Sequence, residues 1–305
     1  MTVASALLAC AVLVGWLVPV RLRRVDLRRR DPWVLIVAWV LSITGFAVAT
    51  VTAVVLLLVP SHGNDFVSFL HHCRDIAHGA PPQVEAFGGA IAGGLVLALA
   101  IRLGVILVRG ARHRARRRTE HLSVLRLAAR GEQGGTLWLE HDQPLAFSMS
   151  GGVVVATEGL YRHLPAESVA AVLSHERAHV RGRHHLIVAI ADAVRKALPF
   201  VPLFREAPMA LRDLVEVAAD DAAVRAHGIA AVRSALLCVS GQAPGIALAM
   251  AREAVDVRLA RLDSGAQPVP PVRRALTCVL TGLTAAAGPL VGAAVLLLTA
   301  GLLTC

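Results

Sequence analysis

Lysine is all but missing from this chain: Lys196 stands alone, and the other basic residues are arginines. Aromatic residues are scarce as well, 4% of the total, with Tyr161 the single tyrosine. The arginines therefore have no aromatic side chains interleaved among them on which bases would stack, and a net charge of +10 does not mark a direct nucleic-acid binder. The five cysteines are odd in number, scattered, and form no CxxC pair, which argues against a disulfide scaffold and a CxxC metal site. Charge is sparse, 17% of residues against 56% hydrophobic ones, a balance that a purely soluble enzyme does not show.

Three stretches carry no charge at all, residues 1–20, 33–59 and 276–305, and each is as long as the roughly 20 residues a bilayer crossing needs. Gly88 to Val108 adds a further apolar run, interrupted only by Arg102. The sequence thus predicts an integral membrane protein with four spans. Six arginines between Arg21 and Arg30, and six more between Arg109 and Arg118, flank these spans as cytoplasmic loops do, where they also meet anionic lipid. The first span has no basic residue before it and arginines after it, the reverse of a signal peptide, so it is expected to stay in the protein with its start outside. The organisation that follows is a three-span region over 1–118 with an outer loop at 60–87, a cytoplasmic domain over 119–274, and a last span over 275–305. Both termini then lie outside the inner membrane of a bacterial cell.

Several features of the spans carry more than one reading. Arg102 either snorkels to the inner interface or faces the bundle and pairs with a polar group. His62, His71, His72 and His78, near Asp65, Cys73 and Asp75, fit no standard ligand spacing and read as a solvated loop before a metal or pH sensor. Cys73 and Cys305 fall on the same outer side, where a bridge would be feasible. Cys10 and Cys278 read as small apolar span residues. Gly89 with Gly93 and Gly288 with Gly292 are GxxxG spacings that allow close helix packing.

From Thr119 the composition becomes that of a soluble domain. Thr136 to Glu140, Leu145 to Met149 and Val153 to Thr157 read as short strands, the last two joined by Ser150-Gly151-Gly152. A helix is expected from Pro165 to about Gly182, with Pro at a first-turn position and Glu167 on the favourable side of its dipole. Further helices are expected from His184 to Leu198, from Pro208 to His227 with Gly228 as a stop, and from Ile229 to Leu262 with a break at Pro244-Gly245.

The chemistry is carried by His175-Glu176-Arg177-Ala178-His179, an HExxH motif in the first of these helices. The spacing stacks two imidazoles on one face, where both reach a single tetrahedral metal, with Glu176 beside the open position. Glu216 and Asp220 are also four apart, so a helix presents both carboxylates to one side, one to bind the metal and one to orient a ligand. Two histidines and one glutamate leave a fourth position for water, the ligand set of a hydrolytic zinc site. Ala146, Phe147 and Ser148 lie on the strand before the helix and either carry an extended substrate as an added strand or are ordinary sheet residues. His184 and His185 either steady an oxyanion or an orienting carboxylate, or simply pack. Tyr161 reads as a core residue before an oxyanion donor, and Arg212, one turn before Glu216, as its ion-pair partner.

With Ala156-Thr157-Glu158-Gly159-Leu160 leading into Leu173-Ser174-His175-Glu176-Arg177-Ala178-His179, and Glu216 and Asp220 downstream, nearly the whole chain resembles the BlaR and MecR type of membrane zinc peptidase, related to the HtpX-like membrane gluzincins. The resemblance implies four spans with a zincin-like α+β metallopeptidase domain between spans three and four, one Zn2+ per chain on His175, His179 and Glu216, and Glu176 as the catalytic carboxylate. It departs from the antibiotic sensors in one respect: no outer penicillin-binding domain is expected, since the sequence reads to Cys305 with no Ser-x-x-Lys. The resemblance further implies an endopeptidase acting on a cytoplasmic or membrane-proximal protein, in that family a winged-helix repressor of the BlaI type whose cleavage switches on genes. Quality-control proteolysis of membrane proteins, as in the HtpX-like relatives, is the alternative within the same chemistry. A catalytically silent transducer stapled by zinc is the alternative outside it. The oligomeric state, homodimer or otherwise, is left open.

Overall fold

The computed structural model describes residues 3–26, 30–58, 82–149, 151–241, 248–265, 269–270 and 272–283. It is mostly helical, in the order α1 (Val3–Arg23), α2 (Pro32–Leu58), α3 (Pro82–Ala128), β1 (Ala129–Gln133), β2 (Thr136–Leu139), β3 (Ala146–Met149), β4 (Val153–Thr157), α4 (Gly159–His163), α5 (Ala166–Arg181), α6 (His184–Ala197), α7 (Pro202–Gly241) and α8 (Leu248–Asp263). Residues 272–283 form a further helix. Most of the expected last span, the outer loop with its histidines, Cys73, Cys305 and the Gly288/Gly292 pair lie outside the described residues.

By length and composition, Ala4–Arg23, Pro32–Leu58, Ala90–Ala128 and Pro202–Val239 could each cross a membrane. The first three overlap the apolar stretches 1–20, 33–59 and 88–108, the third running on to Ala128. The fourth is better explained as a helix of the globular domain: it carries Glu216, Asp220 and Asp221, the last two buried within the protein, and its apolar face is spent on protein contacts. The α1 and α2 helices form a hairpin closed by Ala4, Ala6, Leu7 and Ala53. Asp31 caps α2, accepting the Trp33 N–H at 2.9 Å, with Pro32 in the first helical position where its missing N–H costs nothing. Gly93 of α3 lets Leu58 of α2 approach; a Cβ there would come within 3.0 Å of the leucine.

The arginine run 109–118, expected to flank a span as a cytoplasmic loop does, is helical. Arginine is a good helix former, and α3 continues through it for 47 residues, roughly 70 Å, straight into β1. Arg102 resolves as a tether: its guanidinium donates to the Lys196 carbonyl at 3.1 Å, at the carbonyl-rich end of α6.

The sheet has the order β1-β2-β4-β3, with β2 and β4 parallel and the other pairs antiparallel. The β1 strand was not expected, because Ala-Arg-Gly-Glu-Gln has no apolar alternation; the turn Gly134-Gly135, both at positive φ, folds it back on β2. Along β4 the pleat alternates: Val154 and Ala156 pack toward α5 with Leu160, Val169 and Leu173, while Val155 packs toward the end of α3 with Leu122 and Leu137. The α6–α7 hairpin then runs back against α1 and α2, where Leu203, Phe204 and Leu211 share one core with Leu35, Ile36 and Trp39. The α7 helix starts earlier than expected and passes through Pro208; the stop expected at Gly228 is present as a kink, where φ is 79°, and the break expected at Pro244-Gly245 lies outside the described residues.

Candidate metal centre

Two punctuation marks set the α5 helix: it begins after Pro165 and ends at Gly182, whose N–H returns to the Ala178 carbonyl at 2.8 Å. Within it His175 and His179 fall on one face, and their Nε2 atoms lie 3.1 Å apart. Glu216, from α7, brings Oε2 to 3.4 Å from His175 Nε2 and Oε1 to 3.5 Å from His179 Nε2. Among the described residues these three form the group able to hold a metal, with one ligand atom from each within 4.8 Å of the others. Bonds of about 2.0–2.1 Å at a tetrahedral ion place ligand atoms about 3.3 Å apart, so the donor set fits such an ion with little adjustment.

The sequence also contains a competing pattern. His175 to His185 reads HExxHxxGxxH, the spacing of a three-histidine site. The structure does not bring His185 to the group; Arg183 adopts a left-handed conformation at φ 50° and starts a new helix that carries His185 toward Arg114. The carboxylate of Glu216 takes the third place.

The two imidazoles are held differently. His175 Nδ1 lies 3.0 Å from Asp220 Oδ1. Asp220 is buried and gripped by a fork from Arg258 of α8, at 2.6 and 2.7 Å, and Arg258 also reaches Glu216 Oε2 at 3.4 Å. Arg258 was missed in the sequence because it is 38 residues from Asp220 and belongs to no motif. Burial opposes charge on His175, but Asp220 and Glu216 outweigh it and raise its pKa to about 9. Burial alone would raise Glu216; His175 and Arg258 hold it at about 2 instead. Burial pushes Asp220 the same way, and Arg258 and His175 overcome it, leaving it well below the usual carboxylate range. His179 instead meets His184, Nδ1 to Nδ1 at 3.0 Å, and burial lowers both rings to about 4.

Glu176 sits beside the group with its pKa raised, first by burial, while charge on His175 and contact with the Ser148 hydroxyl and main chain work the other way. Ser148 lies on β3, an edge strand among the described residues. Two cavities flank the metal group. One of about 480 Å³ is lined by Ile106, Leu107, Ser148, His179, Val188 and Glu216, and one of about 210 Å³ by Ala146, Val172, His175, Glu176 and Arg258. Ala146 and Ser148 thus face the site, whereas Phe147 alternates to the other face of the sheet and is exposed.

Other expectations shift. Tyr161 is no core residue: it is 58% exposed and stacks on Trp138 at 5.1 Å. Arg212 pairs not with Glu216 but with Asp192 of α6, at 2.6 Å. Thr157 and Gly159 have structural work. The Thr157 hydroxyl donates to the Gln143 carbonyl and accepts from the Leu145 N–H, and a Cβ on Gly159 would strike the Asp142 carbonyl.

An HExxH helix facing a glutamate from a second helix, with an edge strand alongside, is an arrangement able to hold a divalent metal with one position left open. Residues 112–253 match Peptidase family M48. A 47-residue stretch is 45% identical to a protein described as "Protease HtpX homolog" from Methanopyrus kandleri, covering 15% of this chain and 15% of that relative. No solved structure matches. The family match thus spans the sheet, the HExxH helix and the helix that carries Glu216, a little under half of the chain, and the matched stretch is a small part of the relative's own length.

Proposed function

We propose that the protein is a membrane-anchored zinc endopeptidase whose domain faces the cytoplasm of a bacterial cell, with its N- and C-termini outside the inner membrane. The convergence of His175 Nε2, His179 Nε2 and the Glu216 carboxylate carries this reading. Zinc held there supplies a Lewis acid that polarises the scissile carbonyl and acidifies water. Glu176, its pKa raised by burial, takes the proton of the attacking water and returns it to the leaving amine. Asp220 orients His175, and Arg258 holds Asp220. A substrate would lie extended along β3, from the cavity at Ala146 to the cavity at Ser148.

The substrate is a cytoplasmic or membrane-proximal protein. In the regulatory form of this reading it is a repressor of the BlaI type, cleaved in response to a signal. The quality-control form gains support from the larger cavity, one wall of which is Ile106 and Leu107 of α3, the helix of the third expected span. The silent transducer would need a fourth protein ligand, and three converge among the described residues.

The test uses the full chain in detergent. Elemental analysis is expected to give one zinc per chain in both the wild type and Glu176→Gln, with cleavage lost only in the variant. Comparison of membrane and cytoplasmic proteomes from cells with each form identifies the substrate. Undiminished cleavage by Glu176→Gln overturns the mechanism, and a four-protein-ligand coordination sphere overturns the enzyme.

A further inference from the structure

We propose that His184 is a positioning residue that accepts the N–H of His179 Nδ1 and so fixes the ring whose Nε2 faces the metal; the proposal rests on the metallopeptidase reading above. Two ring nitrogens 3.0 Å apart cannot both be donors or both be bare, so one carries the shared proton. His179 Nε2 points at His175 Nε2 and Glu216, and must be bare to ligate a cation. Its proton therefore sits on Nδ1, His184 Nδ1 is the acceptor, and the proton of His184 sits on Nε2.

Three features show that the ring is held for its Nδ1. His184 is 2% exposed, and among the described residues its Nε2 has no hydrogen-bond partner, so Nδ1 makes the polar contact of the buried ring. Gly182 is needed beside it, because a Cβ there would fall 2.3 Å from His184 Nε2. The two rings stand at 90° with centroids 4.9 Å apart, an edge-on geometry that serves an in-plane hydrogen bond to one ring rather than stacking. On its other side the His184 ring meets Trp33, centroids 5.6 Å apart, at the start of α2. The support of one metal ligand thus includes a residue of a helix apolar enough to cross the membrane.

The experiment measures zinc affinity of the full chain in detergent by chelator competition, together with the visible spectrum of the cobalt-substituted protein. The variants are His184→Asn, whose amide oxygen can take the place of Nδ1, and His184→Gln, of similar polarity but with its amide nearer the Nε2 position. His184→Gln should weaken zinc binding by about 10- to 100-fold and alter the cobalt spectrum, while His184→Asn stays within about 3-fold of wild type. Equal affinity and equal spectra in all three proteins overturn the proposal while leaving the metallopeptidase intact. Equal losses in both variants, tracking equal losses in thermal stability, overturn it in favour of packing. A wild-type protein that binds neither zinc nor cobalt overturns the underlying reading as well.

Discussion

His175 and His179 leave the same helix one turn apart, and the protein supports them in opposite ways. His175 is backed by charge, through Asp220 and its Arg258 fork; His179 is backed by a neutral, buried imidazole. The difference divides the work. Without metal, the His175 side forms an ion cluster in which a charged ring sits between two carboxylates, while burial keeps the His179 side uncharged. One imidazole is thus tied into the electrostatics of three helices, and the other into a contact between two buried rings.

The comparison breaks most sharply at Asp220. Asp220→Ala leaves Arg258 buried without its main partner, and should cost about 3–5 kcal/mol in chemical denaturation along with about 10- to 100-fold in zinc affinity. Arg258→Met removes the other half of the fork. Calorimetry should show a loss of about 2–3 kcal/mol, smaller because Glu216 and Asp220 remain near His175 and retain part of their compensation.

Proton linkage sharpens the same contrast. A charged His175 must lose its proton to ligate, so zinc affinity should rise about tenfold per pH unit from pH 7 until it levels near pH 9. His179, already neutral across that range, adds no slope. In chelator-treated protein the sign reverses. A folded pKa raised from 6.5 to about 9 contributes stability that is complete below about pH 6.5 and lost as pH rises through 9, so the metal-free Tm should fall over that window. A flat affinity profile would remove the ion cluster from the account. The smallest effect is expected at Arg212, which pairs with Asp192 and not with Glu216: Arg212→Ala should change stability by under about 1 kcal/mol and leave zinc affinity where it was.

The legible parts of this molecule were those with local signatures. Pro165, Gly182 and the i, i+4 histidines fixed α5, the Gly151-Gly152 pair fixed the β3–β4 turn, and the ExxxD spacing put Glu216 and Asp220 on one face. What escaped depends on tertiary packing. The β1 strand is polar and exists because β2 offers it an edge. Pro208 reads as a helix start, yet the helix that carries it begins at Pro202 and is held by the core it shares with α1 and α2. Arg258 and His184 act through residues that only the folded chain brings near, and Tyr161 lies outside because Trp138 offers it a surface to stack on.

The core shared by α2 and the α6–α7 hairpin bears on how the molecule can be taken apart. Leu203, Phe204 and Leu211 are almost wholly enclosed, and part of what encloses them is Leu35, Ile36 and Trp39. Cutting away the first two helices would bare these side chains, at a cost of order 1.5–3 kcal/mol for each fully uncovered, and would also strip Trp33 from His184. A soluble fragment trimmed at the third helix would therefore be expected to aggregate or to hold its metal poorly, and enzymology on this protein calls for the chain with its membrane helices attached.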